Sequence, residues 1–403
     1  MRKFLTTAMA VALASATSYA DLQNIEVNGG IRLRGSSYSG GDGPGDRATQ
    51  FTEQRTNLGW TADFTDEVSA VIEMDSYNIW GDDGRGDVVG GPGTGGGLGE
   101  VSLYQAYIEL GEAWGTALDI KVGRQEVILG SEFLVGNNST GSYFPQNSFD
   151  GITAVYNQDT YNVTFLMLKV AEADAALGAT GLGVDLDTDL YGIYGSYTGL
   201  ENNVIDGYWL YVRTGLPGDN SELHTIGARI AGSANRFDYE GEIAVQTGDT
   251  GTAGSDFDGL AINTELGYTF DTDLQPRIFG GITLFTGSDG GDIGFNRLFS
   301  DWEYSEFISN GDLTNAQILR LGFSLQATEK IGLSAVIAHF ELDEDAGFAT
   351  DDIGDEFGLY ATYQYSDDVA LEFGYAHFFV EEDLFGAGAD DFDYVYAEMS
   401  ISF

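Results

Sequence analysis

The sequence contains no cysteine and only five prolines in 403 residues, and its seventeen lysines and arginines face sixty-four aspartates and glutamates. Without Cys, neither disulfides nor thiolate metal sites hold the chain together, which fits a fold closed by its own hydrogen-bond ladder. The shortage of bases excludes nucleic acid as a partner, because a formal charge of −47 repels a phosphate backbone. Histidine is nearly absent too, and none of His224, His339 and His377 stands in a zinc-binding spacing. Past the N-terminal segment no window of about 18 residues is continuously apolar, so helical membrane spans are excluded. Glycine pairs such as Gly96-Gly97 do not follow a strand and open a helix, so phosphate-loop chemistry has no seat.

What is abundant is glycine (57), phenylalanine (25) and tyrosine (22), the composition of many short strands with Gly-rich connections. The opening MRKFLTTAMAVALASATSYA has Arg2 and Lys3, an apolar stretch too short to span a bilayer, and Ser18-Tyr19-Ala20 as a small-residue cleavage pattern. It predicts a signal peptide over residues 1–20 and a single mature domain over 21–403. Cleavage removes two bases and no acid, leaving the exported chain still more acidic.

Alternation decides the class, since one face of a transmembrane strand meets lipid and the other water. In Asn235–Thr247, Phe237, Tyr239, Gly241, Ile243 and Val245 share one face, while Asp238, Glu240, Glu242 and Gln246 share the other. Glu356–Tyr365 alternates in the same way. Segments 160–170, 189–198 and 203–213 alternate less cleanly and do not reveal which side is outward. Short turns at Asp63–Glu67, Gly111–Gly115, Asn157–Thr160, Leu200–Asn203, Ser233–Asn235, Asp271–Leu274, Thr328–Lys330 and Ser366–Asp368 alternate with longer loops. Those loops are Tyr38–Thr49, Gly81–Glu100, Gly130–Ser148, Ala171–Asp187, Thr214–Ser221, Gly248–Phe257, Gly287–Asp312, Glu341–Ile353 and Glu381–Asp391. This rhythm predicts an all-β, antiparallel up-and-down transmembrane barrel of about 18 strands in a bacterial outer membrane, with both termini periplasmic. The last strand, Tyr394–Phe403, alternates and stops on an aromatic residue, as such barrels commonly do.

LYQAYIEL (Leu103–Leu110), KVGRQEVILGSEFLVG (Lys121–Gly136), FDGITAVY (Phe149–Tyr156), FNRLF (Phe295–Phe299), EFGLYATYQYSDDVALEFGYAHFF (Glu356–Phe379) and DYVYAEMSISF (Asp393–Phe403) resemble the alginate export family of outer-membrane porins. The resemblance implies a monomeric barrel that conducts small or oligomeric solutes, with Arg124 and Gln125 of the GRQ motif near the pore. A polyuronate cargo calls for a lumen rich in Arg and Lys, so the acid excess argues against alginate itself.

Strand parity assigns a lumen lining. Arg32, Arg34, Arg55, Lys121, Arg229, Arg236, Arg277 and Arg320 turn inward, as do Glu26, Glu53, Glu73, Asp75, Glu109, Asp119, Asp238, Glu240, Glu242, Glu265, Glu356 and Glu372. Acids outnumber bases there only modestly, which predicts a mild cation preference. The first arginines and Lys121, with Glu73, Asp75 and Glu109 beside them, form either a transverse field across the pore or charges that are merely solvated or paired for stability. The loop Gly130–Ser148, apolar through Phe133, Leu134, Val135, Tyr143 and Phe144, is expected either to fold inward as a constriction or to pack across the rim. The acid clusters of Glu341–Glu356 and Glu381–Asp393 and the segment Gly81–Asp87 offer oxygen ligands for calcium, though none keeps the twelve-residue calcium-loop spacing; otherwise they form a solvated anionic surface. The leading expectation is thus a passive porin without cofactor, embedded in outer-membrane lipid and lipopolysaccharide. A structural or adhesive barrel with ion-binding loops, and a barrel enzyme using His339 or His377, are the competing classes.

Overall fold

The computed structural model describes residues 22–40, 49–81, 101–137, 144, 146–172, 186–216, 219–300, 302–308, 313–345, 347–386 and 389–403. The predicted signal peptide, Tyr143, and all but Gly81 of the Gly81–Asp87 segment lie outside the described residues.

Among the described residues the chain forms eighteen strands. They are β1 (Asn24–Ser39), β2 (Thr49–Thr65), β3 (Val68–Ile79), β4 (Ser102–Leu110), β5 (Leu118–Gln125), β6 (Phe149–Gln158), β7 (Tyr161–Ala171), β8 (Thr188–Leu200), β9 (Asn203–Thr214), β10 (Ser221–Ala234), β11 (Phe237–Thr252), β12 (Ser255–Thr269), β13 (Arg277–Phe285), β14 (Ala316–Thr328), β15 (Ile331–Glu341), β16 (Asp352–Gln364), β17 (Val369–Val380) and β18 (Phe392–Ser402). Each pairs antiparallel with the next, and β18 pairs back onto β1 from Gly30↔Ser402 to Ser39↔Asp393, so the sheet is closed. Closure leaves no strand edge exposed to lipid.

The eight short turns fall at one end, as predicted. Asn202 and Asn235 take φ of 58° and 59° there, the left-handed backbone that two-residue hairpin turns require and Asn tolerates. One predicted long loop is not a loop. Across Gly248–Phe257, β11 and β12 continue to Thr252 and Ser255, with a register shift between Asp249 and Thr252. Gly248 makes this possible: at φ 145°, a Cβ would sit 1.9 Å from the Glu222 carbonyl oxygen.

The outward face is apolar and exposed, as at Ile226 (60%) and Leu321 (61%), with Ile243, Leu359 and Leu371 on the same side. The packed core lies inside the bore, where inward residues of β6 through β17 meet two folded loops. This explains the segments without clean alternation. On β7 to β9 the inward Leu166, Leu168, Leu190, Tyr194, Tyr208 and Leu210 are buried under loop residues, while the outward Phe165, Met167, Ile193 and Trp209 stay exposed. Where the loops cover them, those strands carry apolar residues on both faces, because the inner one packs on the loops and the outer one meets lipid.

Candidate functional site in the barrel lumen

Two loops fill the upper bore. The first, leaving β5 at Gln125, reaches the opposite wall: Phe133, 1% exposed, stacks on Phe285 of β13 with ring centroids 5.7 Å apart. In the eighteen-strand ring β5 and β13 are almost diametrically opposed, so this loop crosses the lumen. Its return leg brings Phe144 to the β1–β3 wall, 4.4 Å below the Arg32 guanidinium and 6.2 Å from the Tyr77 ring. Of the three predicted constriction residues, then, Phe133 and Phe144 pack on opposite sides of the bore.

The second loop, between β13 and β14, was expected to be an outer loop over Gly287–Asp312. It folds inward instead. Asn296 exchanges two hydrogen bonds of 2.7 Å with the Gln246 side chain of β11, and Tyr304 is buried beside Phe285 and Asn263. Farther on, Ser305 donates to Glu356 at 2.5 Å, Tyr360 donates to Glu306 at 2.9 Å, and Phe307 packs among Tyr38, Phe378, Phe392 and Tyr394. Its acids, Asp289, Asp292, Asp301, Glu303, Glu306 and Asp312, are spread along it and mask the apolar residues among them. The run from Ile293 to Ile308, with Phe295, Phe299, Phe307, Trp302 and Tyr304 between, is the signal by which the sequence reveals the inward fold.

The loops are joined to each other. Val135 and Phe299 form a parallel β-bridge, in which Phe299 N–H donates to the Leu134 carbonyl at 2.8 Å and Gly136 N–H to the Phe299 carbonyl at 3.0 Å. Glu306 of the second loop is partly buried, its Oε2 has no hydrogen-bond partner, and burial pushes its carboxyl up to about 7.

The wall charges occur in pairs. Arg32 and Arg34 both donate to Glu398 of β18 at 2.7 Å, and Arg34 lies 4.2 Å over the Tyr396 ring. Arg55 meets Asp75 at 3.3 Å and the Tyr104 ring at 4.9 Å. Lys121 faces Glu109 at 3.6 Å, Arg229 bridges Asp206 and Glu240 at 2.7 and 3.0 Å, and Glu265 sits between Arg277 and Arg320 at 2.7 and 4.0 Å. Glu73 accepts from Asn57 and Gln105 at 2.8 and 2.7 Å, and Glu242 from Tyr208 at 2.7 Å. The arginines of the arc are thus ion-paired.

Several expectations need correction. Arg124 does not line the pore: alternation puts Arg124 and Gln125 on opposite faces, and Arg124 is outside, paired with Asp150 at 2.7 Å. Gln125 does face inward, but it is 1% exposed and hydrogen-bonded to Thr153 and the Gly151 carbonyl. Glu356 and Glu242 face inward yet are covered, Glu356 by the second loop. Arg236 belongs to a hairpin turn and pairs with Asp271. Sequence parity missed Glu398 and Asp206, both inward acids. Among the described residues no group of three or more His, Asp or Glu side chains is arranged to hold a metal ion.

The family profile described as Alginate export matches residues 97–395. Several solved structures of outer-membrane porins share the fold. OccAB4 of Acinetobacter baumannii superposes with a TM-score of 0.62 at 12% identity, covering 95% of this chain and 99% of that one. OpdQ of Pseudomonas aeruginosa gives 0.61 at 13%, covering 94% and 99%, and OccK11 (OpdR) of the same organism 0.60 at 12%, covering 94% and 96%. No curated protein sequence matches the chain.

Proposed function

Since this chain belongs to the alginate export family and is a channel of the bacterial outer membrane, we propose that it is a passive, constricted porin, working as a monomer without cofactor or catalytic step. The observation that carries the reading is the bridge between two inward loops, Val135 to Phe299, inside a wall of ion pairs. A closed barrel with a hydrated inner wall conducts unless something fills it, and here the filling is part of the same chain. Solutes pass where the loops leave room, so width is set by Phe133, Phe144 and the second loop, and charge by the wall.

The cargo is small and hydrophilic, with a mild preference for cations. Glu398 and Asp206 add acids to the inner face without adding bases. Because the bases are already paired, an anionic polymer finds few unengaged cations to follow through the bore. Calcium at the acidic outer loops is a subsidiary proposal. It rests only on the acid density of Glu341–Glu356 and is tested by calorimetric titration with calcium.

Reconstitution in a planar bilayer tests the central reading. Discrete unitary steps, reduced by small hydrophilic solutes added as blockers, are the expected result. A protein that inserts and never conducts would overturn it.

A further inference from the structure

At the outer end of the barrel the lipid-facing side carries a row of charges that the pore does not use. Arg124 on β5 is the cross-strand partner of Asp150 on β6, which partners Lys169 on β7, then Asp189 on β8, Arg213 on β9 and Glu222 on β10. The six residues lie at one level, and their signs alternate strictly. Arg124 meets Asp150 at 2.7 Å, Lys169 meets Asp189 at 2.8 Å, Asp187 at 2.7 Å and Glu172 at 3.4 Å, and Asp189 lies 3.9 Å from Arg213.

One outward step toward the periplasm the row gives way to Ile152, Met167, Tyr191, Tyr211 and His224. The rings there stack: Tyr191 on Tyr211 at 6.1 Å, Tyr211 on His224 at 4.6 Å, and Trp209 beside both. A further step down the face is apolar and exposed, with Phe165, Ile193 and Ile226. Aromatic rings between an apolar band and a charged row mark the level of the membrane interface. The long-loop end of such a barrel is the outer one, so the row stands at the headgroups of the outer leaflet.

We infer that this row binds the phosphorylated glycolipid of the outer leaflet, lipopolysaccharide, through Arg124, Lys169 and Arg213. The three cations are two strands apart, about 10 Å along the belt, and each is separated from the next by an acid. The acids remove the mutual repulsion of the cations and the cost of holding them beside hydrocarbon. The cationic side chains nevertheless remain 44%, 35% and 27% exposed, on the side that faces lipid. Phosphate is the group this geometry recognises, since guanidinium and ammonium donors give it charge-assisted hydrogen bonds.

The test is native mass spectrometry of the whole protein in dodecyl maltoside and EDTA, titrated with purified diphosphoryl lipid A. The triple variant R124Q/K169Q/R213Q should bind lipid A about tenfold more weakly than the wild type. The opposite variant, D150N/D189N/E222Q, should bind at least as well as the wild type, and dephosphorylated lipid A should bind neither. A heat-dependent shift in gel mobility confirms that each barrel is folded; if the triple variant fails that check, K169Q alone should still weaken binding. Equal binding of lipid A by folded wild type and triple variant would overturn the inference. So would equal binding of phosphatidylglycerol and lipid A by the wild type, or a wild-type dimer that dissociates in the triple variant, which would assign the row to a second copy.

Discussion

Arg34 is the side chain on which the wall depends most locally. Its side chain is 2% exposed and that of its partner Glu398 10%. Replacing Glu398 by Gln leaves a buried guanidinium without its anion and should cost about 3–5 kcal/mol, measured as a loss of thermal stability in detergent. Arg124→Gln, at a pair half open to its surroundings, should cost about 1 kcal/mol or less. Glu306 gives a pH dependence with a definite sign. Its carboxyl, raised to about 7 by burial, favours the protonated form when the second loop is docked. Docking stability is therefore greatest in mild acid, falls as pH rises from the ordinary carboxylate range toward 7, and is level above it. Loop opening should be more frequent at pH 8 than at pH 5.5 in single-channel records, and Glu306→Gln should reduce the difference, the remainder resting on Glu356, which the same loop covers. The sequence could not supply the partner of Arg34, because Glu398 lies 364 positions away and nothing local records which strand closes on which.

At the scale of elements, the spanning strands were legible and the loops were not. Hairpin turns announce themselves by Asn, Gly and Asp, and lipid-facing alternation by residues such as Ile243 and Leu359. Where a loop covers the inner face, as over Leu190 and Leu210, the alternation disappears although the strand does not. The inward fold of the second loop was hidden because Asp301, Glu303 and Glu306 are interspersed with its apolar residues, and the extension of β11 because Gly248 reads as loop composition. Removing residues 131–144 should raise unitary conductance, since the crossing segment then leaves the bore. It should also release Phe299 from Leu134 and Gly136, so the variant's open level should be noisier than that of the wild type. Unchanged conductance with an intact barrel would place the first loop outside the ion path.

For the whole molecule, the lipid face and the ionic balance of the wall give the remaining expectations. A charged substitution at Ile243 or Leu359 should cost about 2–4 kcal/mol if the site lies near mid-membrane, measured by folding into lipid vesicles. The reversal potential across a salt gradient should show a modest cation preference that fades with ionic strength, because salt screens the mouth over about 8 Å; an anion-selective reversal at low salt would mean that arginines sit at the narrowest point. The closure of β18 on β1 has a further consequence. Because both ends of the sheet finish on the same rim and the joint there is hydrogen-bonded like every other, the connectivity is a circle cut at one place. A circular permutant with residues 23 and 403 linked and new ends at Asn235 and Arg236 should reach the same barrel, and only the order in which its strands leave the ribosome would differ.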